Sequence, residues 1–201
     1  SNRLGGNGVA NSTVYGGIAG DVMAADAQKM SALHDPDETI LDEELARAIT
    51  PFSAKPGNVH ELRVRLMDAM WDDVGVMRDA AGLKRGIEKI ASLKTDMENV
   101  GVSGDNLAFN LSWHDWLSLQ SLIDTSEVIA KAGLSRENSR GAHFREDFPD
   151  AGSLDDSYFT IATSGDKGIE VNREAVKFTI VKPGESLLGA DEAETLVEAA
   201  Q

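Results

Sequence analysis

The sequence predicts a mainly α-helical protein, with a three-helix antiparallel bundle preceded by one longer helix and followed by a small carboxyl-terminal β-hairpin. Three observations predict it. Apolar residues recur at spacings of three and four in three consecutive stretches between positions 58 and 133. Short glycine-bearing breaks separate these stretches, so adjacent helices are expected to run antiparallel. After position 157 the apolar period changes to two, with turn residues between two alternating runs.

The chain opens on Asn2-Arg3-Leu4-Gly5-Gly6-Asn7-Gly8, in which three glycines within four residues let the backbone approach a ligand closely. Gly8 to Ala32 then reads as a helix. Its first turn would direct free N–H groups at whatever sits before it, and with the Arg3 guanidinium alongside, the arrangement suits a carboxylate or an electron-rich ring. A solvated arginine on a plain glycine turn is the alternative. No Walker-type lysine follows the glycines, so nucleotide phosphates are not the predicted anion. Gly16, Gly17 and Gly20 would each cost about 1 kcal/mol in an exposed helix, which predicts close contact with a neighbour. Without that neighbour this segment is expected to be the least stably ordered helix of the chain, or to dock on another copy.

From His34 to Pro56 the sequence reads as a connector. Asp35-Pro36-Asp37 starts a short acidic helix over Glu38 to Ile49, Pro51 ends it, and Pro56-Gly57 marks a turn. The first bundle helix begins at a cap near Asn58 and carries Leu62, Leu66, Met70, Val74 and Met77 on one face. The second starts near Gly82, with Leu83, Ile87, Ile90 and Met97 on its buried side, and Gly101 and Gly104 break the pattern. The third runs from about Asn110 to Ala132, carries Leu111, Trp116, Leu119, Leu122, Ile123 and Ile129, and stops at Gly133.

Trp71, Trp113 and Trp116 are read as core or interface residues rather than a ligand-stacking cage, since each carries a large apolar area. Met67, Met70 and Met77 are expected to fill core gaps. Arg63, Arg65 and Arg78, interleaved with Asp68, Asp72 and Asp73, predict a salt-bridged helix face. The loop that follows the bundle gathers Arg136, Arg140, His143 and Arg145 beside Glu137, Glu146 and Asp147, which predicts an internal charge network. A histidine among arginines is biased toward its neutral form, so His143 is either a structural member of that network or a base. Tyr158 to Thr163 and Gly168 to Asn172 alternate as strands around a Ser164–Gly168 turn, Val176 to Val181 is expected as a third strand, and Ala190 to Gln201 as a frayed helix or tail.

Composition narrows the function classes. Nineteen basic against 34 acidic residues leave a formal charge of -15, which opposes nucleic-acid backbones and anionic membrane surfaces. The 41% apolar share is that of an ordinary globular core. No cysteine is available for disulfides, thiolate catalysis or cluster ligation, which suits a reducing compartment. His34, His60, His114 and His143 lie far apart without metal-ligand spacing, His114-Asp115 reads as a helix surface pair, and no Gly-x-Ser-x-Gly elbow is present. No apolar run is long enough to span a bilayer, so direct membrane insertion is not expected.

Asn2-Arg3-Leu4-Gly5-Gly6-Asn7, taken with Ser139-Arg140-Gly141-Ala142-His143 and Arg145-Glu146-Asp147-Phe148-Pro149, resembles the flavoprotein subunit family of succinate dehydrogenase and fumarate reductase. L-Aspartate oxidase and adenylylsulfate reductase share the architecture as more distant relatives. The resemblance implies an FAD-dependent dicarboxylate oxidoreductase, of which this chain would be the carboxyl-terminal portion, inactive alone. It implies substrate binding by Arg3, cofactor binding by Gly6, Asn7, Gly8 and Val9, and a structural or interdomain role for Arg140, His143 and Arg145. The implied division is 1–33 as the end of an FAD-binding domain, 34–57 as connector, 58–150 as helical domain and loop, and 151–201 as β appendix and tail. Partners implied are the FAD and capping domains, a dicarboxylate and an iron–sulfur subunit, with a cytoplasmic location at the inner face of the membrane through partner subunits. Two departures stand out: Gly8 follows Asn7 where family members commonly have Ser, and Tyr15-Gly16-Gly17 stands where an arginine is common. An autonomous helical interaction module without catalysis is the alternative reading.

Overall fold

The computed structural model describes residues 7–32, 35–165 and 168–185. Five helices and one hairpin follow in order: α1 (Asn7–Lys29), α2 (Glu38–Ile49), α3 (Val59–Asp72), α4 (Ala80–Glu98), α5 (Leu111–Ser135), β1 (Tyr158–Gly165) and β2 (Gly168–Ala175). The mainly helical architecture with a carboxyl-terminal hairpin is the expected one.

Helix starts are set by side-chain caps. Asp37 accepts from the Thr39 N–H at the head of α2, Asn58 from Glu61 at α3, Asp79 from Gly82 at α4 and Asn110 from Trp113 at α5. Each cap satisfies an N–H that the helix itself leaves without a partner, an effect worth about 1 kcal/mol.

The core lies between α3, α4 and α5. Leu62 and Leu66 meet Leu83, Ile90, Leu93 and Met97, and Trp116, Leu119, Ile123 and Ala130 complete the layer, with Val74 and Val102 joining from the connecting loops. Full burial of such aliphatic side chains contributes about 1.5–3 kcal/mol each. The other tryptophan partners are polar. Trp116 Nε1 donates to the Val100 carbonyl at 2.7 Å and Trp113 Nε1 to the Ala48 carbonyl at 2.7 Å, so the second ring ties the end of α2 to α5. Gly101 is required where the connector crosses the bundle, because a Cβ there would lie 2.2 Å from the Ala54 carbonyl oxygen.

Several expectations are corrected. α3 ends at Asp72, and Met77 lies beyond it in the turn toward α4, 61% exposed. Met67 and Trp71 are 63% and 80% exposed, because Leu62, Leu66 and Ala69 form the buried stripe and positions 60, 64, 67 and 71 fall on the opposite one. Leu122 and Ile129 flank the α5 core stripe of 116, 119, 123, 126 and 130 and stay exposed, as does Leu111 at the first helical position. Gly133 does not stop α5, which continues to Ser135, since the glycine is buried within it beside Leu83 and His143. The arginine–aspartate face of α3 is not self-paired. Arg63 reaches Asp115 on α5 and Arg65 reaches Asp96 on α4, while Asp73 is held by Arg85 and Lys89, so the ions tie helices together. His114 and Asp115 do not act as a pair, because Asp115 takes Arg63 and the His114 ring lies against Trp113.

The two strands pair antiparallel from Tyr158↔Ala175 to Gly165↔Gly168, and Gly168 adopts φ +97° at the turn. Residues 176–181 form no third strand. The Val176 N–H donates to the Ser157 carbonyl to close the hairpin, after which the chain leaves it and Ile180 is 82% exposed. The tail expected over Ala190 to Gln201 lies outside the described residues.

Candidate functional site

Four chain segments meet where α5 ends: the turn between α3 and α4, the head of α4, the last turn of α5 and the loop over residues 136–157. Arg145 is at the centre, 1% exposed. One face of its guanidinium fork donates to both Asp147 carboxylate oxygens, Nε to Oδ1 and Nη2 to Oδ2, each at 2.7 Å. Its remaining nitrogen, Nη1, donates to the carbonyls of Gly133, Leu134 and Arg136 at 2.9, 3.1 and 3.2 Å. A single arginine thus caps the carbonyl end of α5, where a cation also complements the helix dipole. Asp147 in turn accepts the Ala80 N–H at the head of α4, so one ion pair links the end of α5 to the start of α4. The Arg145 hydrogen bonds hold the Asp147 carboxyl down to about 2, against a partial opposing effect of burial.

His143 has a defined tautomer. Arg78 Nη1 lies 3.0 Å from His143 Nδ1, and a guanidinium only donates, so Nδ1 accepts. Nε2 therefore carries the proton and donates to the Arg136 carbonyl at 3.1 Å. The ring is neutral. Burial pushes its pKa below the usual histidine value, the bond to Arg136 opposes this, and Arg78, Arg136 and Arg145 lower it further. Arg78 Nε also donates to the Val74 and Gly75 carbonyls at 2.9 and 2.7 Å, so His143 connects the α3–α4 turn to the end of α5.

Arg140 closes the loop from outside. Its backbone exchanges hydrogen bonds with His143 across a turn in which Gly141 takes φ +58°, and its guanidinium donates to the carbonyls of Ala151 and Ser153 and to the Ser157 hydroxyl. Arg136 and Arg173 sit 5.0 and 4.8 Å from the Tyr158 ring centre, which attaches the hairpin to the same node.

The sequence-expected network of Arg140, His143 and Arg145 is therefore brought together. Asp147 joins it, as the sequence predicts; Arg78, which the sequence puts on a salt-bridged helix face, belongs to it as well. The signal available for Arg78 was its position just past Gly75, where a cation meets the open carbonyls of a helix end. Of the opening segment, Arg3 and Gly6 lie outside the described residues. Asn7, Gly8 and Val9 form the first turn of α1, which carries no acidic residue. Among the described residues nothing buries α1: every residue from Val9 to Lys29 is exposed, and outside the helix's own backbone no atom lies within 4 Å of where a Cβ would stand on Gly16, Gly17 or Gly20. α2 likewise buries none of its residues. Among the described residues no helix is long and apolar enough to cross a membrane.

Residues 63–187, which take in all of the bundle but the first turn of α3, with the arginine node and the hairpin, match the model of the fumarate reductase flavoprotein C-terminal family. The chain belongs to this family. It is 34% identical over 152 residues to an uncharacterized FAD-dependent oxidoreductase of Methanocaldococcus jannaschii, covering 75% of this chain and 26% of that protein. It is 28% identical over 201 residues to a fumarate reductase flavoprotein subunit of Mycobacterium tuberculosis, covering 94% of this chain and 34% of the relative. A chain of the Mycobacterium smegmatis Sdh1 complex in the apo form superposes with a TM-score of 0.79 at 28% identity, covering 97% of this chain and 34% of that one. The chain thus spans about a third or less of the length of these flavoprotein relatives.

Proposed function

We propose that the chain is the carboxyl-terminal portion of an FAD-dependent dicarboxylate oxidoreductase that interconverts succinate and fumarate, and that it contributes one side of a site completed by upstream protein. The observation that carries the reading is the family match over residues 63–187, with a flavoprotein-named relative matched over 94% of the chain. FAD, when bound, supplies the hydride chemistry. The start of α1 fits a place beside an electron-rich ring. The N–H groups of Gly8 and Val9 lie in the first turn of α1, after a glycine-rich stretch of sequence, and that turn holds no carboxylate to oppose added negative charge. Arg3 is assigned to a substrate carboxylate, where a two-pronged hold orients the diacid.

Arg140, His143 and Arg145 are assigned a structural role, since their donors are directed at carbonyls, Asp147 and a serine of the chain itself. The proposed division has residues 1–33 belonging to the FAD-binding domain, with 34–57 as connector, 58–150 as helical domain and 151–201 as appendix. The exposed apolar residues of α1 and α2 support it, because Val14, Tyr15, Ile18, Val22, Ile40 and Leu45 are each more than half exposed. A capping domain, an iron–sulfur subunit and a cytoplasmic location at the inner membrane face complete the proposal.

The second reading, an autonomous interaction module, is favoured by one observation: α3, α4 and α5 close a core of their own. Titration of the isolated chain with FAD and fumarate separates the two. Inertness toward both is expected of half a site, and tight flavin binding by this chain alone would contradict the proposal.

A further inference from the structure

A surface cleft of about 510 Å³ lies beside the arginine node, lined by Trp71, Gly75, Val76, Met77, Arg78 and Ala142. Its walls are apolar and unusually open to solvent, with Trp71 80%, Val76 64% and Met77 61% exposed. Its cationic residue is Arg78, half-buried. Arg78 forms no ion pair among the described residues; Arg145 has Asp147, and the half-buried Arg136 and Arg140, also without an ion pair there, turn their guanidinium groups to the hairpin and to the loop carbonyls rather than to this cleft. Nε and Nη1 of Arg78 are used on the Val74 and Gly75 carbonyls and on His143, whereas Nη2 makes no hydrogen bond among the described residues. Among the described residues no buried side-chain nitrogen or oxygen lacks a partner, so Nη2 is open to solvent, and Arg78 is one of the residues lining the cleft.

A cation fixed in place by His143, with one free donor beside a tryptophan, a valine and a methionine, is complementary to a carboxylate carried on an apolar body. The geometry points to this cleft as a docking site for an acidic residue flanked by apolar side chains, supplied by the part of the polypeptide that the longer relatives possess and this chain does not. The inference rests on the proposed parentage for the source of that segment, and on the cleft alone for its chemistry. Burial and the nearby Arg145 charge both disfavour the Arg78 cation, and the opposite charge of an incoming carboxylate offsets them.

The chemistry is tested on the 201-residue chain with N-acetyl-L-phenylalanine as probe and its uncharged amide as control, following the Trp71 indole N–H by two-dimensional NMR. The carboxylate is expected to shift that resonance and to bind about threefold or more tighter than the amide, as for an exposed charge pair. Arg78→Gln should abolish the difference, and Trp71→Ala, at a side chain outside the core and followed instead at the backbone amides of Val76 and Met77, should weaken both probes while the fold is kept. Equal binding of acid and amide, or no response at Trp71, overturns the site. The source is tested by hydroxyl-radical footprinting of the longer flavoprotein polypeptide without other subunits. Trp71 and Met77 should be protected severalfold relative to the 201-residue chain, with Phe109, which is 99% exposed, as reference. Protection that appears only when another subunit is added, or not at all, overturns the assigned occupant. Neither measurement involves flavin or turnover, so a failure here is distinct from a failure of the redox reading.

Discussion

α1 and α5 are of similar length, 23 and 25 residues, and both are rich in apolar and small side chains, yet they meet opposite fates. α5 buries Trp116, Leu119, Ile123, Ser126, Ala130 and Gly133, whereas α1 leaves Val9 to Lys29 exposed. The difference is in arrangement and neighbours. The buried positions of α5 follow a single stripe that α3 and α4 cover, and its carbonyl end is capped by Arg145. α1 carries three glycines that no other described element approaches, which suits a neighbour coming in closely. Stability within this chain should therefore reside in α3–α5 and be nearly independent of α1.

The largest test of that contrast is Arg145→Ala, which leaves the carbonyls of Gly133, Leu134 and Arg136 without their donor and opens the last turn of α5. A loss of about 3 kcal/mol or more is expected in chemical denaturation, from acceptors worth about 1–3 kcal/mol each when left unpaired, and a loss below about 1 kcal/mol would mean the node is ornamental to the bundle. Next comes a matched pair, Leu119→Ala in α5 and Ile18→Ala in α1. The first should cost about 3 kcal/mol through a cavity in the core, and the second should stay within about 0.5 kcal/mol. Comparable losses would show that α1 is covered in solution. Glycines sharpen the comparison further. Gly86→Ala places a Cβ 2.6 Å from Val74 Cγ2 and should cost about 1–3 kcal/mol, whereas Gly17→Ala should raise α1 helicity, by about 1 kcal/mol of propensity. In a longer polypeptide the sign at Gly17 should reverse if the helix is closely packed there.

The smallest effect is in pH. His143 is depressed in the folded chain, so its unfolded form takes up a proton first as pH falls below 6.5, and stability declines there. Protonation would also set an N–H against the Arg78 N–H at 3.0 Å. Asp147 is depressed as well, so its contribution is complete above 3.8 and is lost as pH falls toward about 2. Denaturation midpoints measured from pH 8 to 5 should fall for the parent chain and less for His143→Gln, which keeps a neutral acceptor. Parallel curves would remove His143 as the titrating group.

Much of this was legible in the sequence, for identifiable reasons. Glu38–Ile49 was readable to the residue because Asp37 caps it and Pro51 ends it, both local effects. The α3–α5 core followed from spacing. What failed required knowledge of neighbours: Met67 and Met77 are apolar but fall outside the covered stripe, and Gly133 continues a helix because Arg145 occupies its carbonyl. Residues 176–181 alternate like a strand, yet they leave the hairpin after the Val176 bond to Ser157. At the node, the charged cluster could be anticipated from composition, but the direction of each donor could not. Arg78 shows this, since only the fold places it opposite His143, 65 residues away in sequence.

Arg3→Lys in the longer flavoprotein polypeptide tests the central claim most directly, with fumarate turnover measured beside flavin content. A point charge replacing a two-pronged grip should lower turnover by at least about tenfold with flavin retained. Unchanged turnover would contradict the assignment of this segment to the substrate carboxylate.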